Sequence, residues 1–301
     1  MYLKNIFKKI LSEKLFNNLL VYNRKLKNFS HHYRQSISKI QIGNYIIKIP
    51  SKHLLIKIIK EQPIRDLFIG ELAKIVTNKY PNREIIDIGA NIGDTASIIS
   101  SKSNATLILV EPSNYYFNFL TKNAKDFPNK TILYNCMILD GEKIDGLLIH
   151  WGGTAFFNES NIENKILTKK ISEISTNPSL IKIDTDGHDY KIINSNLDFI
   201  KIQIPILIFE IQIENDNDFN DITNLLFNLT SIGYTNFSLF DDQGFCLINT
   251  NDIKYITMLN SYLLKQILLK TFRKSISNYD ICCFHKSEQD LFDSFSNIYK
   301  K

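Results

Sequence analysis

From Glu84 onward, short runs of apolar, largely β-branched residues alternate with longer stretches of helical periodicity, and this alternation limits the fold more than any other feature of the chain. The apolar runs are Glu84 to Ile88, Thr106 to Val110, Thr131 to Ile138, Leu180 to Ile183, Ile206 to Ile211, Asn236 to Phe240 and Ile281 to Phe284. Runs without a polar face belong to strands covered on both sides, and the helices between them supply the crossovers that parallel pairs need. The pattern predicts an α/β fold with a doubly wound, mostly parallel sheet. Helices are expected over Arg65 to Lys79, Asp221 to Leu229 and Ile253 to Phe272, the first stopping ahead of Pro81. Alternation at Ile40, Ile42, Tyr45, Ile47 and Ile49 around Gly43-Asn44 predicts a hairpin, and Gly152-Gly153 marks a loop or hairpin in the less regular stretch from Gly141 to Ser175.

With 301 residues, 44% of them hydrophobic, the chain can bury a sizeable core, which excludes a disordered or fibrous protein. Cys136, Cys246, Cys282 and Cys283 show no C-x-x-C spacing, so free thiols in a reducing compartment are expected. No apolar run is long enough to cross a bilayer, and MYLKNIFKKILSEKLF is interrupted too often by Lys for a signal-peptide core. A cytoplasmic location follows as the expectation, with contact to the inner face of the membrane open. Residues 1–60 hold 13 Lys or Arg and a single acid, Glu13, a surplus of +12, so the remaining 241 residues sum to −7. Leu3 to Leu26 places Ile6, Ile10, Leu11, Leu15, Leu19 and Tyr22 at helical spacings among Lys8, Lys9 and Lys14. Such a basic amphipathic helix suits an anionic membrane surface or packing on its own domain. The expected parse is a basic helical extension over 1–38, one α/β domain over 39–290 and a tail over 291–301.

The first apolar run ends in Asp87-Ile88-Gly89-Ala90-Asn91-Ile92-Gly93-Asp94 and passes into Thr95, Ala96 and Ser97. Glycines at a strand-to-helix turn let a ligand approach the backbone, and the helix start adds unpaired N–H groups. The G-x-x-x-G spacing lacks the third glycine of the dinucleotide fingerprint. Asp87 and Asp94 bracket the turn with negative charge, which opposes a pyrophosphate and suits the ammonium and sulfonium of S-adenosylmethionine. Glu111, 22 residues after Gly89 and followed by Pro112, ends the second run where a carboxylate can accept both ribose hydroxyls. Asn135 and Cys136 follow the third run, where a sheet-edge residue can touch an adenine ring.

The strings IIDIGANIGDTA, LVEPSNYYFNFLTKNA, LIKIDTDGHDYKII and PILIFEI resemble the FkbM-type methyltransferases in order, content and spacing. IGNYIIKIPSKHLL is similar to the lead-in strand of some members and YDICCFHK to their closing strand, so the resemblance covers about residues 40 to 286. It implies a Rossmann-like class I methyltransferase fold, S-adenosylmethionine as cofactor and O-methylation of a sugar, glycan or natural-product hydroxyl, as in polysaccharide biosynthesis. The acceptor itself does not transfer with the motif.

The fourth run delivers Asp184, Asp186 and His188 to the same sheet edge as the glycine turn. In the family this looks like a KxDxxG motif in which Glu often stands where Asp186 is. Either Asp can orient an acceptor hydroxyl or take its proton, and His188 is a further candidate base. Glu210 ends the fifth run as an active-site wall or acid; where some relatives show His two places on, this chain has Gln212, which cannot act as a base. No metal is expected, and Trp151 is either a stacking face for a sugar or a loop anchor. The rival readings are an NAD(P)-binding oxidoreductase, disfavoured by the missing third glycine, and a non-catalytic cofactor-binding adaptor in envelope glycan assembly. Nucleic acid is not expected, because Asp184-Thr185-Asp186-Gly187 stands where an Asp-Pro-Pro-Tyr type motif would be.

Overall fold

The computed structural model describes residues 36–140, 144–159, 165–185, 187–269 and 276–300. The basic helix expected over Leu3 to Leu26 lies outside them, and Ile37 and Ser38 of the expected extension belong to a strand. Strands β1 (Ile37–Ile42) and β2 (Tyr45–Pro50) form the expected hairpin, followed by helices α1 (Leu55–Glu61) and α2 (Leu67–Lys79). Then come β3 (Glu84–Ile88), α3 (Asp94–Ser100), β4 (Leu107–Val110), α4 (Asn114–Asn123), β5 (Thr131–Tyr134) and the short β6 (Met137–Ile138). An insertion of β7 (Ile144–Trp151), β8 (Thr154–Glu159), β9 (Lys165–Ile166) and β10 (Thr168–Lys169) precedes β11 (Pro178–Ile183). Helices α5 (Asp189–Ser195) and α6 (Leu197–Gln203) lead to β12 (Ile206–Gln212) and α7 (Asp216–Ser231). The chain closes with β13 (Tyr234–Asp241), β14 (Cys246–Thr250), α8 (Ile253–Leu268), β15 (Asn278–His285) and α9 (Gln289–Ile298).

Eight strands form the central sheet in the order β14-β13-β15-β12-β11-β3-β4-β5. From β12 to β5 every neighbour is parallel, whereas β15 runs antiparallel to both β12 and β13, and β14 antiparallel to β13. This is the doubly wound, Rossmann-like, mostly parallel sheet expected from the sequence. From β3 the chain first winds outward through β4 and β5, then returns as β11 on the other side of β3. The C-terminal ends of β3 and β11 therefore part at a topological switch point, where open α/β sheets bind ligands.

The alternating inward residues of each strand feed two apolar clusters, one per face. Ile85, Leu107 and Leu180 join α2, α3 and the β1–β2 hairpin, while Ile86, Ile108 and Ile181 join α5, α7 and α8. Helix α7 shows why its sequence folds locally. Asn215 caps it by accepting from the N–H groups of Asn217 and Asp218, Asp216 and Asp218 complement the dipole, and Ile222, Leu225, Leu226 and Leu229 repeat at helical spacing on its buried face. The segment expected as a tail from 291 belongs mostly to α9, whose Leu291 and Phe295 are buried because Phe295 sits between the rings of Phe240 and Phe284. All four cysteines are free. Among the described residues no helix is long and apolar enough to cross a membrane.

One buried amide fixes the hairpin to the glycine turn. Asn123, fully buried, donates to the carbonyls of Lys48 and Ile92 at 2.9 and 2.8 Å and accepts from Lys48 N–H at 2.9 Å. Asn123→Ala strands these backbone groups without partners. It is expected to lower stability by about 2–3 kcal/mol in urea unfolding, with an unchanged m-value.

Candidate active site at the switch point

Strand β3 delivers its last residues into a turn whose first position admits no side chain. Gly89 has φ 87°, and a Cβ there would lie 1.9 Å from the carbonyl oxygen of Asp184. Gly93, φ 90°, precedes α3, and Asn91 itself takes φ 47°. The N–H groups of Gly89 and Ala90 both bond to Val110 O at 2.9 Å, which pins the turn against the end of β4. Just beyond, the carboxylate of Glu111, 4% exposed, accepts from Asn91 N–H at 3.0 Å and Ser113 N–H at 2.7 Å.

A cleft of about 580 Å³, measured out to its open mouth, lies beside this turn. Its floor is Ile88, Gly89, Asn91, Val110, Glu111 and Pro112; one wall is Cys136, Met137 and Ile138, and the other is Asp184, Thr185, His188 and Ile192. Strands β7 and β8 pair antiparallel as a hairpin that roofs it with Leu148, Thr154, Ala155 and Phe157. The hairpin tip is tied down by Asn91 Nδ2 donating to Gly153 O at 2.7 Å and by Leu54 N–H donating to Gly152 O at 2.9 Å. His53 packs beneath the same tip, its Nε2 3.4 Å from Asn91 Oδ1, and burial lowers its pKa.

Of the residues singled out in the sequence, Gly89, Asn91, Glu111, Pro112, Cys136, Asp184 and His188 line this one cleft. Ala90, Gly93, Asp94 and Asn135 do not. Ala90 packs into the core, and Asn135 donates to the carbonyls of Glu111 and Pro112, bracing the floor from behind. Burial pushes the Asp94 carboxyl up to about 7, with Lys182 pulling the other way. Asp186 and the Trp151 side chain lie outside what the structure describes.

Beneath the cleft floor sits an ion pair that the sequence reading passed over. Lys182 lies directly beside Asp87 in the β11–β3 register, and its Nζ is 3.6 Å from Asp87 Oδ1 and 3.1 Å from Asp184 Oδ2. The Lys182 and Asp87 side chains are 6% and 0% exposed, whereas Asp184 is half-exposed at the cleft. Both Asp87 oxygens are buried without a hydrogen bond among the described residues, and burial raises the Asp87 pKa. Lys182 lowers the pKa of Asp184, keeping it ionised. A lysine in the middle of an apolar parallel strand was itself a signal, because a buried ammonium demands carboxylate partners.

Arg65, Asp66 and Asp280 complete the charged group, none of them singled out from sequence. Arg65 Nε is 3.5 Å from Asp66 Oδ2, and burial raises the pKa of both Asp66 and Asp280. An acid inside the apolar run YDICCF was readable as unusual; Arg65 and Asp66, ahead of α2, carried no such mark. Glu210 opens on an adjoining cleft with Asp189, Tyr190, Gln212, Glu214 and Asp218. The Asn278 amide donates to the Glu210 carboxylate, and Asp189 accepts from Thr185 Oγ1 at 2.6 Å, Thr185 N–H at 2.9 Å and Glu210 N–H at 3.2 Å. Among the described residues no group of His, Cys, Asp and Glu has the arrangement of a metal site.

Burial, reinforced by Asp184, pushes Glu210 up to about 7. A carboxyl with a raised folded-state pKa holds its proton in the folded chain after the unfolded chain has lost it, so its stabilising effect fades as pH climbs from about 4.5 to about 7. Glu210→Gln is therefore expected to flatten the decline of unfolding free energy across that window. Urea titrations at stepped pH check this, and an unaltered slope would show that Glu210 titrates normally.

Comparison with known proteins finds a family likeness over part of the chain. Residues 87–235 match the description "Methyltransferase FkbM domain". No curated protein matches the chain. Among solved structures, a methyltransferase FkbM from Methylobacillus flagellatus KT shares 17% identity over 50% of this chain, with a TM-score of 0.37, and this chain covers only 37% of that protein. The plantazolicin methyltransferase BamL, solved with SAH, aligns at 10% identity over 77% of this chain and 90% of its own, with a TM-score of 0.42. M. jannaschii TYW2, solved with AdoMet, aligns at 10% identity over 83% and 86%, also with a TM-score of 0.42.

Proposed function

We propose, from the premise that this chain carries a methyltransferase FkbM domain, that it transfers a methyl group from S-adenosylmethionine to a hydroxyl of a sugar, glycan or natural-product acceptor. The observation that carries the reading is the cleft in which Gly89, Glu111 and Asp184 meet. The donor set fits this cofactor. Glu111 stands where a carboxylate accepts ribose hydroxyls, Cys136, Met137 and Ile138 offer an apolar wall for a base, and the acids around Lys182 favour a cationic amino acid tail. When bound, S-adenosylmethionine supplies an electrophilic methyl on a sulfonium.

The chain's own residues then position the acceptor and handle its proton. Asp184, ionised and half-exposed, orients the acceptor hydroxyl for in-line approach and offsets the positive charge that develops on its oxygen. Glu210, with its proton affinity near neutrality, takes the hydroxyl proton. The adjoining cleft, with Tyr190, Gln212, Glu214 and Asp218, offers one aromatic face and several hydrogen-bonding groups to a polyhydroxylated acceptor.

Calorimetry with S-adenosylmethionine is expected to show binding that Glu111→Ala weakens by about 1.5–3 kcal/mol through loss of charge-assisted hydrogen bonds. Binding of NAD(P) in its place would refute the assignment. Asp184→Asn, which leaves Lys182 an oxygen acceptor, is expected to keep the circular dichroism melt while production of S-adenosylhomocysteine with a hydroxylated acceptor falls by roughly 100-fold or more; full turnover in that variant would remove its role.

A further inference from the structure

Helix α8 presents a face that no other described element covers. Ile256, Asn260, Leu263 and Gln266 point into the core, and the opposite side leaves Tyr255, Met258, Tyr262 and Leu269 exposed by 52%, 58%, 42% and 75%. These four succeed one another at spacings of three, four and seven residues, so they form one stripe along the helix rather than scattered contacts. Monomer surfaces seldom leave so many large apolar side chains contiguous.

Charge distinguishes the partner. Lys254 and Lys265 are exposed on the same side of the helix and border the stripe. From Ile253 to Tyr279 the sequence holds five Lys or Arg and no Asp or Glu, although residues 61–301 together are net acidic. Two copies of this face would bring lysines against lysines, which disfavours self-association. Aromatic and aliphatic side chains flanked by lysines on a convex helix match an interfacial helix, whose apolar groups enter the boundary of a bilayer while the ammonium groups meet anionic headgroups.

We infer that the exposed face of α8 docks the domain on an anionic lipid surface. This site is separate from the cleft and from the basic N-terminal segment, and it holds whether or not the methyl-transfer reading does.

The full chain is floated with phosphatidylcholine vesicles prepared with and without phosphatidylglycerol. Binding is expected only when phosphatidylglycerol is present and is expected to fall with added salt. Lys254→Glu with Lys265→Glu, and separately Met258→Ser with Tyr262→Ser, should each weaken it on the order of tenfold while leaving the circular dichroism melt unchanged. Because residues 1–60 are also basic, Tyr262→Trp reads this face directly: its added emission should be quenched by brominated phosphatidylglycerol. Absence of that quenching, equal binding to pure phosphatidylcholine, or paired variants that bind like the unsubstituted chain overturns the inference. So does a dimer in sedimentation equilibrium that Tyr262→Ser dissociates, since that gives the face to a second copy.

Discussion

The site depends on a buried ammonium held between two strands. Lys182 stands next to the C-terminal end of β11, beside Asp87 of β3 and two residues before Asp184, and its charge is withdrawn almost completely from water. Desolvation of such a group is compensated only when carboxylates lie close on more than one side, and removing one partner of a buried pair costs about 3–5 kcal/mol. The parallel register of β3 and β11 meets that requirement at the point where the sheet opens. The same ion group joins the strand that carries the glycine turn to the strand that carries Asp184. Either strand displaced relative to the other would leave a charge unpaired.

Backbone geometry then converts this alignment into a cleft. Gly89 approaches the Asp184 carbonyl too closely for any side chain, so the two strand ends meet backbone to backbone. Glu111 ties the turn to the end of β4, and the β7–β8 hairpin, fastened to Asn91 through Gly153, closes the space from above. Asn123 joins the β1–β2 hairpin to the rear of the turn, so an element far from the chemistry also fixes its position.

Charge is distributed with equal consequence. Among the described residues acids outnumber bases around the switch point, where Asp66, Asp87, Asp94, Asp184, Glu210 and Asp280 face Arg65 and Lys182 at close range. Several of these carboxyls rise in pKa because burial and mutual repulsion disfavour full ionisation, and Asp184 alone is held low by its ammonium neighbour. A surplus of negative charge favours cations over phosphates. On α8 the balance reverses, and cations with exposed aromatic rings face outward.

The sequence by itself determined the layer architecture and the turn. Apolar runs of strand length must be covered on both faces, and a strand ending in Asp87-Ile88-Gly89 leads into a glycine turn; Glu111 and Asp184 were legible because they end such runs. Only the tertiary structure decided which of these residues share a cleft, since Ala90 and Asp94 differ from Gly89 and Asn91 in direction rather than in position along the chain. It also brought Arg65, Asp66 and Asp280 to Lys182 from distant elements, turned the final residues into a helix packed on Phe240, and paired β13 and β15 antiparallel. Local periodicity reports how a segment meets water, whereas partners across a sheet are set by strand order and register, which no single segment encodes.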